Sequence, residues 1–403
     1  MYPPRSQAYR LFRLGSLNCD YLEDEDDYDD EGNDSSYTAY ECEDDFSSQT
    51  DEDDDDEDCD DDDVEDDGWI FHSANGMHEG LAEGPLVGRT NYALHVYEEV
   101  GTEGLDGVLP LIASGKVREL FQVDGNSLLF VATDRISAYD VIMKNGVPDK
   151  GIMLTLMTAH WFKYLQQQIP DLQTHFISLD VPSAVSADKA AQLRGRSMHV
   201  RKLKVFPVEA IVRGYISGSA WASYQKNGTV NGKKMPEGLQ ESQELPEPIY
   251  TPSTKAELGA HDENISTEEA AKVVGDKYAA RIEELALKIY KAARDYAREK
   301  GIIIADTKFE FGLDEATDQV VLVDEVLTPD SSRFWSVEKY QIGKGQDSFD
   351  KQYLRDWLTS NNLKNKEGVS MTDDVVAATR AKYAEAFRIL TGKSVEEAVG
   401  ELR

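Results

Sequence analysis

Cysteine runs out early in this chain. Cys19, Cys42 and Cys59 are its three cysteines. Everything after position 59 therefore lacks a disulfide framework, a Cys-x-x-Cys metal site and a thiol nucleophile. A reducing, cytoplasmic setting fits that pattern. Long apolar runs are missing too. No stretch reaches the roughly 20 residues that a membrane-spanning helix needs, so no membrane partner is expected. Cations are scarce at the amino end, where the first 70 residues hold 29 acids against 3 basic residues. The remainder carries 48 acids and 39 basic residues, an ordinary balance, so the net charge of −35 describes the tail rather than the fold. With no basic stripe and a negative excess, no nucleic-acid partner is expected.

The tail divides in two. Its first 16 residues carry Arg5, Arg10 and Arg13 and no acid. That faintly resembles a targeting peptide, but the stretch is short and runs straight into dense acid. From Asp20 to Asp67 the chain is mostly Asp and Glu. Such a block repels itself and cannot bury a core, so residues 1–95 are expected to be a disordered acidic extension. A partner-binding or loose cation-binding tail and a dispensable extension both fit, with Met77 an alternative start.

The stretch from Ile302 to Trp335 organises the rest of the chain. IIIADTKFEFG and VVLVDEVLTPDSSRFW are β-branched and aromatic, with a polar GLDEATDQ run between them. That pattern predicts a hairpin. Side chains alternate along a strand, so Asp306, Lys308 and Glu310 are expected on one face and Thr307, Phe309 and Phe311 on the other. A register summing to 632 would set Lys308 opposite Asp324, with Glu310 diagonal to both. Unpaired charges inside apolar strands are costly. Two acids and a lysine there suit Mg²⁺ and phosphates, although a solvated face of ion pairs has the same spacing.

Folding is expected to begin near Thr102. GKVRELFQV and NSLLFVATD predict two strands joined by a turn at Asp124-Gly125. Gly115, with Lys116 and Arg118, could admit phosphates, or could be an ordinary strand start. Asp134, Ser137 and Asp140 follow at a turn. MLTLMTAHWFKYLQQQ predicts a helix packing Leu154, Met157, Trp161 and Leu165, with His160 structural. SMHVRKLKVFPVEAIVRGYISGSA predicts two strands bent at Pro207, the first ending near Val205. Glu209 and Arg213 share a face of the second, as a substrate contact or an internal ion pair. Ser217-Gly218-Ser219 predicts a turn suited to phosphate or carboxylate, or a plain turn. Residues 225–265 look irregular, with Lys255, His261, Asp262 and Glu263 their chemically interesting members. Ser266 to Lys300 predicts one long helix with a Ser266–Glu269 capping box and a stop at Gly301. Helices are expected near 349–361, near 372–391 and from Ser394. These residues alone describe an α+β protein that handles phosphate and Mg²⁺.

FPVEAIVRGYISGS (206–219), IADTKFEFG (304–312), TPSTKAELGAHDENIS and VDEVLTPDSSRFW carry a resemblance. From about Thr102 to Gly392 the chain resembles the SAICAR synthetases of purine biosynthesis, closest to the fungal type. The acidic tail lies outside it. The resemblance implies a two-lobed fold with ATP between a β-rich N-terminal lobe (96–205) and an α/β C-terminal lobe (206–403). It implies ligation of CAIR (carboxyaminoimidazole ribotide) to L-aspartate with ATP, through an acyl phosphate. By that resemblance Gly115, Lys116, Val117 and Arg118 belong to the loop over the ATP phosphates. Lys308 and Lys255 are further phosphate contacts with catalytic roles, beside Asp262. The backbone at Lys204 and Val205 is the adenine linker, and Glu310 and Asp324 are Mg²⁺ ligands. Glu209, Arg213, Ser217, Gly218, Ser219, Asp330, Ser332 and Arg333 fall on the substrate side. The chain is expected to act as a monomer on small molecules.

Two other functions stay open at this point. One is a different ATP-dependent ligase or kinase on the same scaffold, against which VRGYISGS and TPDSSRFW argue. The other is a non-catalytic protein that works through its tail, against which the intact Lys308, Glu310, Asp324 and Arg213 argue.

Overall fold

A computed structural model describes residue 105 and residues 107–139, 141–255, 263–349 and 351–402. The acidic extension, Asp140, His261 and Asp262 lie outside the described residues.

In chain order the strands and helices begin with β1 (Leu111–Ser114), β2 (Arg118–Gln122), β3 (Ser127–Ala132), β4 (Ser137–Ala138) and β5 (Val141–Ile142). Next come α1 (Lys150–Gln168), β6 (Gln173–Thr174), β7 (Phe176–Ser178), α2 (Ala187–Leu193), β8 (Ser197–Arg201), β9 (Lys204–Val205) and β10 (Val208–Tyr215). Helix α3 (Gly218–Asn227) leads to β11 (Thr229–Val230), β12 (Lys233–Lys234), β13 (Glu244–Tyr250) and β14 (Ser253–Thr254). Helices α4 (Thr267–Val274) and α5 (Asp276–Glu299) precede β15 (Ile302–Asp314), β16 (Gln319–Val323) and β17 (Ser332–Ser336). Helices α6 (Gln352–Ser360), α7 (Asp373–Thr391) and α8 (Val395–Gly400) close the chain.

A five-stranded sheet has the order β1-β2-β3-β8-β7. An eight-stranded sheet follows the path β13-β10-β15-β16-β6, with β14 on β10 and both β9 and β17 on β15. The fold is thus α+β. The expected β2–β3 hairpin forms, pairing Gln122 with Leu128, and Asp124 Oδ1 accepts the Asn126 N–H inside the turn at 2.7 Å.

The chain crosses between the two sheets at two adjacent places. Thr174 pairs with Leu322 of the large sheet, and Phe176 pairs with Val200 of the small one. Between them His175 donates its N–H to Leu322 and accepts one from Arg201. The second crossing corrects the expected single strand up to Val205. That strand stops at Arg201, and Lys204 and Val205 pair instead with Leu313 and Gly312 of β15.

Helix α5 covers one face of the large sheet. Its buried positions, Ile282, Leu285, Ala286, Ile289, Tyr290, Ala293 and Ala297, recur at helical spacing. Each buried Ile or Leu contributes about 1.5–3 kcal/mol relative to exposure. The one long helix expected from Ser266 is in fact two. The capping box on Ser266 is present, but Gly275 at φ 88° breaks the run before α5. Residues 225–255 are likewise more ordered than expected, because the end of α3, the β11–β12 hairpin, β13 and β14 occupy them. Helix α1 buries Leu154, Met157, Trp161 and Leu165 as expected, and His160 hydrogen-bonds Tyr296 there. Among the described residues no helix is long and apolar enough to cross a membrane.

Candidate active site

The central hairpin forms with a register one residue away from the expected one. Glu310 pairs with Val323 and Phe311 with Leu322, so partners sum to 633 rather than 632. Continued by one residue, that ladder would put Asp324 opposite Phe309, a fully buried core residue. It does not continue. Strand β16 ends at Val323, and Asp324 adopts φ 62°. Asp is among the few residue types that enter this left-handed region with any frequency. The turn takes the carboxylate off the core face and brings it to the cavity.

A second irregularity lies on β15 itself. The ladder with β17 shifts between Ile304 and Asp306. An extra residue in a strand lets side chains on either side of it share a face. Ile302 and Ile304 reach the main core, and so do Phe309 and Phe311. Asp306, Lys308 and Glu310 are left on the opposite face.

One cavity joins the two sheets' contributions. It is lined by Gly115, Lys116 and Val117 from the turn before β2 and Arg118 at its start, by Lys308 and Glu310 of β15, and by Asp324, Glu325, Asp330 and Ser331 from the loop after β16. Opposite charges meet across it. Arg118 pairs with Asp324 and, at 2.6 Å, with Glu325. Lys255 Nζ donates to Glu310 Oε2 at 2.6 Å. Lys308 Nζ reaches Glu209 Oε1 at 2.8 Å, and Glu209 is 1% exposed. The Asp330 side chain is buried, with Lys150 Nζ and the Tyr383 hydroxyl each 2.5 Å from its carboxylate.

A second cluster gathers on neighbouring elements. Arg213 of β10 is 1% exposed. Its Nε donates to Thr251 Oγ1 at 3.1 Å, and Nη1 and Nη2 approach Asp306 and Ser219 at 3.4 Å each. Burial pulls its pKa below the usual arginine value, and the Asp306 carboxylate counters that. The expected alternative pairing of Arg213 with Glu209 is therefore absent, since Glu209 holds Lys308 and Ser253 instead. Arg333 Nη1 donates to Ser217 Oγ at 2.8 Å and to Asp306 Oδ2 at 3.3 Å. Ser217 caps α3, so the expected Ser-Gly-Ser turn is the start of a helix. Gly218 has φ 54°, and a Cβ there would lie 2.7 Å from Arg333 Nη1, so a side chain at this position would strain the backbone and displace the Arg333 guanidinium. Ser332 bonds Thr307 through their hydroxyls at 2.8 Å.

The cavity thus collects Gly115, Lys116, Val117, Arg118, Lys308, Glu310, Asp324 and Asp330. The second cluster collects Arg213, Ser217, Gly218, Ser219 and Arg333, with Ser332 beside it. Lys204 and Val205 are exposed on β9, outside the cavity lining. Sequence reasoning gave no role to Glu325 and Ser331, which line the cavity, or to Asp306, which stands between two arginines. The acid directly after Asp324 was a signal for Glu325. Asp306 needed the fold, because its partners come from β10 and β17.

Among the described residues no group of three or more His, Cys, Asp or Glu side chains is arranged to hold a metal. Two carboxylates in one cavity, Glu310 and Asp324, fit Mg²⁺ only as a shared site, with phosphate oxygens and water completing the shell. The donor set fits on those terms.

Lysine and arginine at a turn, acids opposite and a buried arginine cluster alongside put charges of both signs around one cavity, an arrangement suited to phosphates and to a second anion. Residues 111–372 match the model of the SAICAR synthetase family. The phosphoribosylaminoimidazole-succinocarboxamide synthase of Cyberlindnera jadinii is 59% identical over 298 residues, covering 72% of this chain and 98% of that protein. The solved SAICAR synthase of Saccharomyces cerevisiae, complexed with SAICAR, superposes with a TM-score of 0.67 at 56% identity, over 72% of this chain and 97% of that one. A type-2 SAICAR synthetase in complex with ADP superposes with a TM-score of 0.52 at 27% identity, over 70% and 98%. The chain belongs to the SAICAR synthetase family.

Proposed function

We propose that this chain joins the carboxylate of CAIR to the amine of L-aspartate at the expense of ATP, giving SAICAR, ADP and phosphate in de novo purine synthesis. The observation that carries this reading is the meeting of the Gly115–Arg118 turn with Lys308, Glu310 and Asp324 in one cavity. Similarity to relatives bound to ADP and to SAICAR supports it.

A carboxylate is a poor electrophile at neutral pH. A CAIR carboxylate oxygen attacks the γ-phosphorus, ADP leaves, and the acyl phosphate accepts the aspartate amine as phosphate departs. Phosphoryl transfer of this kind rests on positioning and charge neutralisation. Lys116, Arg118, Lys308 and Lys255 supply cations over the phosphates, with Gly115 and Val117 in the same turn. Glu310 and Asp324 would hold Mg²⁺, which would supply positive charge beside the transferring group. The backbone at Lys204 and Val205, at the crossing between the sheets, takes the adenine.

Arg213 and Arg333, with Ser217, Gly218, Ser219 and Ser332, receive CAIR. Arginine's planar fork suits its phosphate and carboxylate. Glu209 orients Lys308 through their 2.8 Å contact. Asp330, gripped by Lys150 and Tyr383, fixes the loop that carries Ser332 and Arg333. Asp262 keeps the active-site role that the family resemblance gives it. The enzyme works as a cytoplasmic monomer, in a lobe arrangement of 96–205 and 206–403.

CAIR labelled with ¹⁸O in its carboxylate tests the acyl-phosphate step. The expected result is one labelled oxygen in the released phosphate. Unlabelled phosphate would rule out the acyl phosphate.

A further inference from the structure

One guanidinium outside the cavity lining controls the turn that this reading places over the phosphates. Arg135 lies just past the end of β3. Its Nε donates to the carbonyl of Lys116 and its Nη2 to the carbonyl of Gly115, both at 3.0 Å. Its Nη1 meets Glu119 Oε1 at 3.2 Å, which fixes the plane of the group. The next carbonyl, that of Val117, accepts both the N–H and the hydroxyl of Thr133, at 2.9 and 2.8 Å. Three consecutive carbonyl oxygens are therefore engaged from behind the turn, by groups that do not line the cavity.

A carbonyl oxygen carries partial negative charge. Facing the cavity, it would repel a phosphate and compete for the cations of Lys116 and Arg118. Held against Arg135 and Thr133, these oxygens leave the turn's positive side toward the cavity. Arginine suits the task because its rigid fork meets two neighbouring acceptors at once, and lysine does not. Glu119 and the carbonyls together satisfy all three donor directions that the guanidinium uses.

We propose that Arg135 is a positioning residue for ATP, acting on the phosphates through the Gly115–Val117 backbone without touching the nucleotide. This rests on the reading that the turn binds phosphates. Arg135→Gln and Arg135→Lys, alongside Lys116→Ala, test it by calorimetric titration of the full-length protein with ATP and with AMP. Steady-state kinetics in each of the three substrates and a thermal melt complete the set. Arg135→Gln is expected to weaken ATP about tenfold, the scale of one charge-assisted contact in a partly exposed site, while AMP and the KM values for CAIR and aspartate stay within about twofold. Arg135→Lys recovers only part of the loss. Equal weakening of ATP and AMP with a lowered melting temperature would overturn the proposal and make Arg135 a framework residue. If Lys116→Ala weakens ATP and Arg135→Gln does not, the positioning role alone is wrong. If neither variant changes ATP binding, the phosphates do not sit at this turn and the underlying reading fails with it.

Discussion

Arg118 and Asp324 form an ion pair across the cavity, one from the small sheet and the other from the left-handed turn that ends β16. The pair joins the turn proposed for phosphates with a carboxylate proposed for Mg²⁺.

Asp324→Asn keeps the shape of the side chain and removes its charge. Turnover is expected to fall about a hundredfold or more, the scale of losing one charge-stabilising group in a site. The fold should survive, because Asp324 lies at the cavity rim with its side chain 18% exposed. Turnover across a Mg²⁺ titration, beside a circular-dichroism spectrum, checks this. Near-normal turnover at saturating Mg²⁺ would remove Asp324 from the metal site.

Arg213→Lys is not conservative here. Lysine keeps the charge but cannot serve Thr251, Asp306 and Ser219 together. The apparent affinity for CAIR is expected to fall about ten- to a hundredfold, or roughly 1.4 to 2.7 kcal/mol, while the KM for ATP moves little. Kinetics with each substrate varied in turn, with a thermal melt, are the check. Uniform losses in all three substrates with a lowered melting temperature would assign Arg213 to the framework instead.

His175 predicts an acid limb in stability. It is buried at the crossing between the sheets, edge-on to Phe130 and Phe162. Burial, with the nearby Arg118 and Arg201, lowers its pKa from 6.5 to about 3. The folded protein therefore holds it neutral where the unfolded chain takes up a proton. Its contribution is present above pH 6.5 and is lost as pH falls toward 3. His160, lowered to about 4 chiefly by burial, acts in the same direction. His175→Phe keeps a ring in that pocket and removes the titration, so its melting temperature should decline less steeply between about pH 6.5 and pH 4 than that of the parent. Parallel pH profiles would contradict the assignment.

The acidic extension is predicted to be dispensable. Its composition cannot build a core, and the Cyberlindnera jadinii relative is covered almost end to end by 72% of this chain. A chain beginning near residue 96 should keep its melting temperature and turnover. A large loss of either would give residues 1–95 a structural or catalytic part.

Much of this was legible in the sequence, for identifiable reasons. The β2–β3 hairpin followed from its turn residues, and α1 and α5 from their apolar spacing. Lys308, Glu310 and Asp324 were legible as a group because charges inside apolar strands need partners. Their geometry was not. The shift beside Asp306 and the left-handed Asp324 each change which face a side chain takes, and period-two alternation assumes neither. The break at Gly275 was hidden by helical periodicity on both sides of it. Short strands such as β9 depend on a distant partner, here β15, and carry no local pattern. Asp306 was placed on the right face, but its role emerged only when Arg213 and Arg333 converged on it from other strands.

One active site is proposed to couple ATP to two other substrates, and ADP release reads that coupling. The purified enzyme should release ADP from Mg²⁺-ATP at a sustained rate only when CAIR and L-aspartate are both present, with SAICAR formed in equal amount. Sustained ADP release without either of them, or none with both, would contradict the account.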